Sequence, residues 1–327
     1  MRRLSLVLLV ALAAGCVGPR LPAPPGAGLP GDVRVRAGGR VVSVPIEDYV
    51  LATIVAELSP AGDPPEVAAR LYEVQAIVAR SYAAANRGRH RADGYDLCDT
   101  THCQLYDPRR VRTSSFAAIA REAVRRTRGV VLTYGDRVAE GLFHADCGGS
   151  TSDASAVWGG PPVPYLIARR DELPAGTHRH WTVTADATRL RNALNRDPRT
   201  DIGRHLTSID VTARDAGGRP RGMTLTGERT RQISADLLRI VVNRGFGPNT
   251  LLSTRFSVRR EGNDWLFDGT GFGHGVGLCQ AGARARARQG DGTEDILEAY
   301  FAGTQVRSLT AAGAPPVPAT IRSDIPR

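Results

Sequence analysis

The chain has 327 residues, of which 42% are hydrophobic, and a formal net charge of +10 in which every basic side chain is an arginine. This is enough to bury a core in one large domain or two intimate ones. The sequence has no aromatic-rich RNA motif and no zinc finger with helical histidine spacing, which excludes the common nucleic-acid-binding modules. The charge reflects either the arginine usage of a GC-rich genome or attraction to a polyanion, such as an acidic glycan or a membrane surface.

The N-terminal region predicts an export signal followed by a tether. Two arginines precede an apolar run at residues 4–14, which is too short to span a bilayer but has the length of a signal-peptide core. The small residues before Cys16 resemble the bacterial lipobox, in which the cysteine is lipidated; ordinary secretory cleavage is the alternative. We therefore expect a lipoprotein-type signal peptide at residues 1–15 and a Pro/Gly-rich tether at 16–31. The expected location is the cell envelope, where a membrane-anchored lipoprotein faces the periplasm or the outer surface.

The rest of the chain mixes segments of helical and of strand-like periodicity, which predicts an α+β fold. Asp63 is the expected N-cap of the second helix, and Pro65 suits its first turn. No segment after the signal is long and apolar enough to cross a membrane. In chain order, the predicted elements are a β-hairpin at 32–46 turning at Gly38-Gly39, a helix over EDYVLATIVAEL, a helix beginning near Asp63, a helix at about 114–128, strands at VVLTY and AEGLFHA, strands at LTSIDVTARD and GMTLTGE, a short helix near SADLLRIVV, and GTEDILEAYFAG as the last ordered element.

The stretch DLCDTTHCQ places Cys98, His102 and Cys103 within six positions, and His90 lies shortly upstream. Three interpretations are open for this set. It is a metal site, or a disulfide closing a tight loop of small entropic value, or a nucleophile with its base. The absence of a CxxC motif weighs against a thiol redox protein.

Two glycine-rich stretches carry one histidine each. GTGFGHGVGLCQAGA surrounds His274, and FHADCGGSTSD contains His144. Such dense glycine indicates positive φ angles or backbone that approaches a ligand closely. The pattern is not a phosphate-binding loop, because neither GK[ST] nor the Rossmann spacing is present. A tight turn with a buried, hydrogen-bonded histidine and a binding site both remain open here.

Several stretches together resemble the stage II sporulation protein D (SpoIID/LytB) family in order and spacing. The resemblance covers about residues 32–307, leaves 308–327 as a flexible tail, and implies a two-lobed domain around a glycan groove. This chain departs from the usual motifs at Leu58, where methionine is common, and at Cys147 and Cys279, where many members have serine. The stretches are PIEDYVLATIVAELSP, VQAIVARSYAAA, FHADCGGSTSDASAVWG, residues 236–256, GTGFGHGVGLCQAGA and GTEDILEAYFAGTQV.

The resemblance implies a peptidoglycan lytic transglycosylase. Glu57 matches the family's catalytic glutamate, which cleaves the β-1,4 MurNAc–GlcNAc bond and leaves 1,6-anhydroMurNAc. The alternative is a non-catalytic, glycan-binding or amidase-enhancing envelope lipoprotein. Expected partners are glycan strands, the membrane through the lipid anchor, and a cell-wall amidase, but no nucleic acid. The expected substrate-binding residues are Gln75, Arg80, His144, Thr151, His274 and Gln280, although Gln75 and Arg80 could instead brace the groove from behind.

Some family members carry zinc between histidine and cysteine side chains in the DLCDTTHCQ region. This implies one structural zinc ion, Zn²⁺, and a complete tetrahedral set of His90, Cys98, His102 and Cys103. The resemblance also puts the two glycine-rich loops around one groove. A disulfide between Cys147 and Cys279 is therefore predicted.

Other acidic residues are weaker candidates for catalysis than Glu57. Glu47 and Asp48 are expected to point into solvent or to cap the first helix. Asp146 and Asp153, in the first glycine-rich loop, are the candidates for a second carboxylate, which a hydrolytic mechanism would need.

Overall fold

We analysed a computed structural model of the chain, which describes residues 28–173 and 178–309. The signal peptide, the lipidation site Cys16, most of the tether and most of the predicted tail lie outside the described residues. The elements are β1 Asp32–Ala37, β2 Arg40–Pro45, α1 Ile46–Glu57, α2 Pro65–Ala85, a 3-10 turn Arg91–Asp93, β3 Leu97–Cys98, α3 Arg110–Thr113, α4 Ala117–Arg126, β4 Val130–Tyr134, β5 Arg137–Val138, β6 Phe143–His144, α5 Ala154–Trp158, β7 His180–Asp186, α6 Ala187–Leu194, β8 Leu206–Arg214, β9 Pro220–Gly227, β10 Arg231–Ile233, α7 Ala235–Phe246, β11 Phe256–Glu261, β12 Asp264–Thr270, β13 Leu278–Cys279, α8 Gln280–Gln289, α9 Thr293–Tyr300 and β14 Gln305–Ser308.

The mixture of helices and antiparallel sheets confirms the predicted α+β class. The hairpin is confirmed, with β1 and β2 antiparallel and Gly38 and Gly39 at positive φ in the turn. The short strand β3 adds in parallel to β1, pairing Arg36 with Cys98. This pairing fixes one end of the DLCDTTHCQ stretch beside the first sheet, while the rest of that stretch is a loop.

The first hydrophobic core forms around α1 and α2. Both helices begin after a proline, which suits a first turn because its missing N–H needs no partner there. Tyr49, Ile54, Tyr72 and Ile77 are wholly buried between them. Because α2 packs against α1, α4, α8, α9 and β4, it is buried over most of its length. Elements that are far apart in sequence therefore meet around one central helix.

Arg80 lies at the centre of this core and is wholly buried. Its guanidinium makes a two-pronged ion pair with Glu47, with Nε 3.1 Å from Oε1 and Nη2 2.6 Å from Oε2. Its third nitrogen, Nη1, donates to the Val130 carbonyl oxygen at 2.9 Å. The expectation that Glu47 points into solvent or caps the helix is therefore wrong. Of the two roles open for Arg80, these contacts correspond to bracing.

We expect Arg80→Met to destabilise the fold by about 3 kcal/mol, because it leaves the Glu47 carboxylate, whose side chain is only 15% exposed, without its ion-pair partner. Urea unfolding followed by circular dichroism measures this change in the free energy of unfolding. The matched control is Arg125→Met, which removes an exposed pair with Glu122 on α4 and should change little. Equal effects of the two substitutions would contradict the structural role of Arg80.

A second hydrophobic core lies in the region from β7 to β12. The sheet β11-β12-β7, the sheet β10-β9-β8 and helices α6 and α7 enclose it, and Trp265, Phe267 and Leu225 are among its buried side chains. Asp186 and Ser234 cap α6 and α7 by accepting from the amides of Arg189 and Leu237. The predicted strands at LTSIDVTARD and GMTLTGE are confirmed as β8 and β9.

The C-terminal segment returns to the first core. Strand β13 pairs in parallel with β6, setting Cys279 opposite His144. The sequence analysis did not predict helix α8, because its QAGARARARQ sequence has no strong apolar stripe. The prediction that GTEDILEAYFAG is the last ordered element is wrong, because β14 follows it and pairs with β4. The AEGLFHA strand is also shorter than predicted, at Phe143–His144.

The glycines around His274 have the positive φ angles that the sequence predicts. Gly275 has φ +81°, and a Cβ there would lie 2.2 Å from the Arg219 guanidinium carbon. Gly277 has φ +72°, and a Cβ would lie 2.3 Å from the Leu142 carbonyl oxygen. Because these two positions have no side chain, the Arg219 guanidinium and the Leu142 backbone can lie directly against the loop. None of the helices in the described part of the chain combines the length and apolar character needed to cross a bilayer.

Candidate functional site

Glu57 is the last residue of α1, and its carboxyl group is largely withdrawn from solvent. The sequence neighbours Val55, Ala56 and Leu58 are buried. Burial raises the pKa of Glu57 to about 7, although a hydrogen bond from the Leu105 amide and the charge of Arg110 oppose the rise. A carboxyl group with this pKa exists in both protonation states near neutral pH.

Three hydrogen bonds tie the segment at residues 104–110 to α1. The Leu105 amide donates to Glu57 Oε1 at 2.7 Å. Arg110 donates from Nη1 to the Ala56 carbonyl oxygen at 3.1 Å. Tyr49 from the same helix donates to Gln104 Oε1 at 3.0 Å. The loop after Cys103 is therefore tied to α1 at two adjacent positions, Gln104 and Leu105.

Helix α8 approaches the same region from the other side. Arg284 Nη2 donates to the Ser59 carbonyl oxygen at 2.5 Å, two residues after Glu57. Arg284 and Arg288 both pair with Asp63, at 2.9 Å and 2.5 Å. The prediction that Asp63 caps α2 is wrong, since Pro64 occupies the N-cap position without a side-chain cap. Asp63 instead joins the α1–α2 loop to α8.

Gln280 begins α8 and contacts α2. Its Nε2 lies 3.2 Å from Gln75 Oε1, and Gln75 is buried. Cys279, the residue before Gln280, is the register partner of His144 in the β13–β6 pair. The structure therefore places Gln280 against Gln75 and sets the backbone of His144 beside the start of α8.

His144 and His274 form a ring cluster with Trp158. The two imidazole centroids are 5.4 Å apart, and the Trp158 ring is 5.1 Å from His274. Burial lowers the pKa of both histidines. The pKa of His274 falls to about 3, and the positive charge of Arg239 contributes to that decrease. Both rings are thus neutral at physiological pH. The Val276 amide donates to His274 Nδ1, and His144 Nδ1 lies 3.1 Å from the Val276 carbonyl oxygen.

The DLCDTTHCQ stretch folds back on itself and gathers the predicted zinc ligands. One ligand atom from each of His90, Cys98, His102 and Cys103 lies within 4.8 Å of the others. His90 Nε2 is 3.3 Å from Cys103 Sγ, while His102 Nδ1 is 3.7 Å from Cys98 Sγ and 3.8 Å from Cys103 Sγ. A tetrahedral zinc site with two sulfur and two nitrogen ligands has ligand–ligand separations of roughly 3.3–3.8 Å. The donor set and its spacing therefore fit zinc.

Neither cysteine of this cluster is in a disulfide. Cys103 donates to the Cys98 sulfur, which lowers the pKa of Cys98 and raises that of Cys103. A thiolate of this kind is the form that binds a metal. Cys103 is two residues from Leu105, whose amide holds Glu57. The predicted metal site and the candidate acid are thus connected through a very short backbone segment.

Cys147 and Cys279 lie in the two glycine-rich loops and are both buried, free thiols. Their sulfur atoms lie within 4.8 Å of each other. The predicted disulfide between them is not formed in the structure. Instead Cys279 Sγ accepts from the Cys147 amide at 3.1 Å and caps α8 by accepting from the Gly282 amide at 3.3 Å.

Comparison with known proteins identifies two regions of the chain. Residues 37–134 match the model of the stage II sporulation protein (SpoIID) family, and residues 175–277 match a domain of unknown function. Stage II sporulation protein D of Bacillus subtilis is 27% identical over 84% of this chain and 78% of its own length. These matches support assignment of the chain to the SpoIID/LytB family.

Two further relatives differ more in length. An uncharacterized protein of Brachyspira hyodysenteriae is 28% identical over 80% of this chain, and 66% of its own length is covered. The amidase enhancer of Bacillus subtilis is 25% identical over 72% of this chain and 38% of its own length. The SpoIID match contains Glu57 and the four predicted zinc ligands, whereas Cys147 and Cys279 lie outside both matched regions.

Two of the predicted substrate-binding residues have their polar groups engaged within the protein. Thr151 is buried, and its hydroxyl donates to the Ile167 carbonyl oxygen at 3.1 Å and accepts from the Arg169 amide at 2.8 Å. Arg80 is paired with Glu47. Thr151 therefore fixes the shape of the first glycine-rich loop in this structure.

Several groups that shape the candidate site were not predicted from the sequence. The Leu105 amide carries no signal in a sequence, because every non-proline residue has an amide. Folding brings Arg110 to the end of α1 beside Glu57, and it brings Trp158 to His274. Trp158 belongs to the VWG of the first glycine-rich motif, but the motif did not indicate its contact with His274. His178 was not singled out, yet its Nδ1 lies 2.7 Å from Asp146 Oδ1.

Proposed function

We propose that this chain is a peptidoglycan lytic transglycosylase that cleaves the β-1,4 bond between MurNAc and GlcNAc, on glycan strands poor in stem peptides. The observation that carries the proposal is Glu57, a partly buried carboxyl with a pKa of about 7 whose Oε1 is held by the Leu105 amide. Membership of the SpoIID/LytB family supports the substrate class. The name of the related amidase enhancer supports a role at the cell wall.

In this proposal Glu57 acts first as an acid and then as a base. Protonated Glu57 donates its proton to the glycosidic oxygen as that bond breaks. The carboxylate then takes the proton from the MurNAc 6-hydroxyl, whose oxygen attacks C1 and closes the 1,6-anhydro ring. Because the nucleophile belongs to the same sugar, its high effective concentration replaces an activated water. The reaction therefore needs one titratable carboxyl.

The candidates for a second carboxylate are otherwise engaged. Asp146 is buried, which alone would raise its pKa, but hydrogen bonds from His178 and from the amides of Arg179 and Gly148 lower it overall. Asp153 Oδ1 accepts from the Ala168 amide at 2.9 Å. Both carboxylates thus serve the local structure of the glycine-rich loop, which favours the single-carboxyl mechanism over hydrolysis.

The neutral polar groups near β6 and β13 suit the hydroxyl and acetamido groups of a glycan. His144, His274, Gln75 and Gln280 offer amide and imidazole groups without a net charge. His144 Nε2 and Gln75 Nε2 are buried and have no hydrogen-bond partner among the described residues. We infer that sugar hydroxyl or acetamido groups supply those partners when a glycan strand binds.

The predicted zinc has a structural role in this proposal. His90, Cys98, His102 and Cys103 would hold it as a closed set of four protein ligands, which leaves no open position for a reactive water. The ion would fix the loop that ends at Leu105, and so the hydrogen bond from its amide to Glu57. The acid–base chemistry itself stays with Glu57.

Cleavage should fall as the pH rises through about 7, because Glu57 must be protonated to act first and its pKa is about 7. The profile of kcat/KM against pH measures this, and a decrease in kcat/KM near that pH is expected.

The free energy of unfolding should change in the same direction, because the pKa of Glu57 rises from 4.5 to about 7 on folding. Its contribution to stability is lost as the pH rises through that window. A kcat/KM that stays constant up to about pH 9 would contradict the role of Glu57 as acid.

Product analysis distinguishes the proposal from its alternative. Purified glycan strands, with and without stem peptides, are digested and the products separated by mass spectrometry. Strand ends carrying 1,6-anhydroMurNAc support the proposal, and reducing ends would indicate a hydrolase. No products, together with stimulation of a cell-wall amidase on the same substrate, would favour the amidase-enhancing alternative that one relative's name suggests.

We further propose that the protein is an exported lipoprotein of the cell envelope. The support is the sequence alone, with its apolar run and the small residues before Cys16. Intact-mass measurement of the protein from membranes should find a lipidated Cys16 as the first residue. A mature protein that begins elsewhere and carries no lipid would overturn this part of the proposal.

A further inference from the structure

A second group of metal-binding side chains lies where the two glycine-rich loops meet the start of β7. Asp146 and Cys147 follow β6, Cys279 ends β13, and His178 lies two residues before β7. One ligand atom from each of the four lies within 4.8 Å of the others. The two cysteines are wholly buried, and Asp146 and His178 expose only 8% and 18% of their side chains.

We propose that Asp146, Cys147, His178 and Cys279 form a second zinc site. Two sulfur, one nitrogen and one carboxylate oxygen donor make a set that zinc binds with four-coordinate geometry. Sulfur ligands disfavour magnesium and calcium, which prefer oxygen. The site is independent of the proposed glycan cleavage and of the ligands in DLCDTTHCQ.

The distances are those of a metal-free site that needs a small adjustment. His178 Nδ1 lies 2.7 Å from Asp146 Oδ1 and 4.0 Å from Cys147 Sγ. Neighbouring nitrogen and oxygen ligands of a tetrahedral zinc are about 3.3 Å apart, and nitrogen and sulfur ligands about 3.6 Å. The His178–Asp146 separation would therefore open from 2.7 Å by about 0.6 Å, within the reach of two side-chain rotations, and the proton between them would leave.

The surroundings of the two sulfurs suit thiolates. The Cys147 and Gly282 amides point at Cys279 Sγ, at 3.1 Å and 3.3 Å, and the Gly149 amide points at Cys147 Sγ at 3.4 Å. Amide donors to sulfur stabilise the anionic form that a metal requires. The carboxylate of Asp146 is oriented in the same way, by the Gly148 amide at 2.8 Å and the Arg179 amide at 2.6 Å.

The charges of the neighbouring groups also agree with a loaded site. Zinc with two thiolates, one carboxylate and a neutral imidazole carries a net charge of about −1. Arg219 is buried beside it and donates to the Cys147 carbonyl oxygen at 2.6 Å, so its positive charge offsets that excess. The Cys147 thiol donates to Asp171 Oδ2 at 3.4 Å in the metal-free protein, and a zinc-bound thiolate would lose this hydrogen bond. Asp171 would keep its hydrogen bond from the Tyr300 hydroxyl at 2.6 Å and its ion pair with Arg286 at 3.5 Å, which offsets its charge.

The same groups do not form a thiol nucleophile. Asp146 and Cys147 both face the Nδ1 atom of His178, whereas a relay from carboxylate to thiol needs both nitrogens of the imidazole. Cys147 is also wholly buried, which denies a substrate access to its sulfur. A disulfide is the remaining rival, because it would use the same two sulfur atoms.

A metal here would connect the two hydrophobic cores. His178 leads into β7, a strand of the second core, whereas Cys279 caps α8, which packs on α2 in the first. The site also sits directly before Gln280. We therefore expect zinc at this position to fix the first turn of α8 against the glycine-rich loops.

The test is the zinc content of the full chain, purified under reducing conditions and measured by native mass spectrometry. We expect Cys147→Ser with Cys279→Ser to bind one zinc fewer than wild type. Serine is close to cysteine in size, and a serine at position 279 can still cap α8. His178→Gln removes one ligand without touching the thiols and should weaken zinc binding by at least tenfold. His180→Gln, two residues further along the chain in β7 and with its side chain 67% exposed, is the matched control and should retain the wild-type content.

The comparison does not depend on the other predicted zinc site, because only the difference between wild type and each variant is used. Cobalt substitution adds a second readout, since thiolate-to-cobalt absorption from this site should vanish in the double variant. Equal zinc content in wild type and the double variant would overturn the proposal. A Cys147–Cys279 disulfide in zinc-supplied, reduced protein would overturn it as well.

Discussion

Glu57→Gln should reduce cleavage of glycan strands by about 10²–10⁴-fold, the loss typical of removing a general acid–base group. Glutamine keeps the shape of the side chain, and its carbonyl oxygen can still accept from the Leu105 amide, which lies 2.7 Å from Oε1. It has no proton to give at the pKa of about 7 that burial produces in Glu57. Initial rates of product release, measured at several substrate concentrations, check the prediction.

Asp153→Asn is the matched control for this substitution. It also replaces a carboxylate by an amide, and the asparagine oxygen can still accept from the Ala168 amide. We expect its rate to stay within about threefold of wild type, because asparagine keeps this hydrogen bond and Asp153 is not one of the proposed reacting groups. Strand binding by Glu57→Gln, measured by co-sedimentation with glycan, should be retained. A Glu57→Gln rate close to that of wild type would show that another group supplies the proton.

Cys98→Ser with Cys103→Ser should remove one zinc and lower the stability of the chain. A ligand present at a thousand times its dissociation constant stabilises a fold by about 4 kcal/mol, and that contribution is lost with the site. Because Leu105 follows Cys103 by two residues and its amide holds Glu57, we also expect cleavage to fall by up to about 10²-fold, the effect of a displacement of about 1 Å.

Thermal unfolding with and without added zinc, together with elemental analysis, measures both parts of this effect. Wild type should gain stability from zinc, and the double variant should gain less. Cys147→Ser with Cys279→Ser leaves the DLCDTTHCQ cluster intact and serves as the comparison. A wild-type protein without zinc at this cluster, in which Cys98 is bonded to Cys103, would contradict the structural zinc.

The sequence predicted local structure best where the signal was periodic or specific. The hairpin turn at Gly38-Gly39 and the start of α2 at Pro65 are confirmed. Their causes are local, namely positive φ at the glycines and a fixed φ at the proline. Helix α8 was missed because its buried residues are glycine and alanine, which leave no apolar stripe in the sequence.

Interactions between distant segments were less predictable. Asp63 has the composition of an N-cap, but two arginines of α8 at sequence separations above 200 pair with it instead. Glu47 was expected in solvent, yet it pairs with Arg80 in the core. In both cases the position of the carboxylate is determined by an arginine that is distant in sequence, and the position of that arginine depends on the whole fold. The approach of Leu105 to Glu57 has the same origin.

The central claim is that Glu57 transfers a proton within the glycan strand without the use of a water molecule. The most direct measurement is digestion of peptide-free strands in ¹⁸O-labelled water, followed by mass spectrometry of the new MurNAc ends. The account predicts 1,6-anhydro ends that are lighter than reducing ends by one water and contain no ¹⁸O, with Glu57→Gln producing few or none. Reducing ends that carry ¹⁸O, released at a rate that depends on Glu57, would contradict it and establish hydrolysis instead.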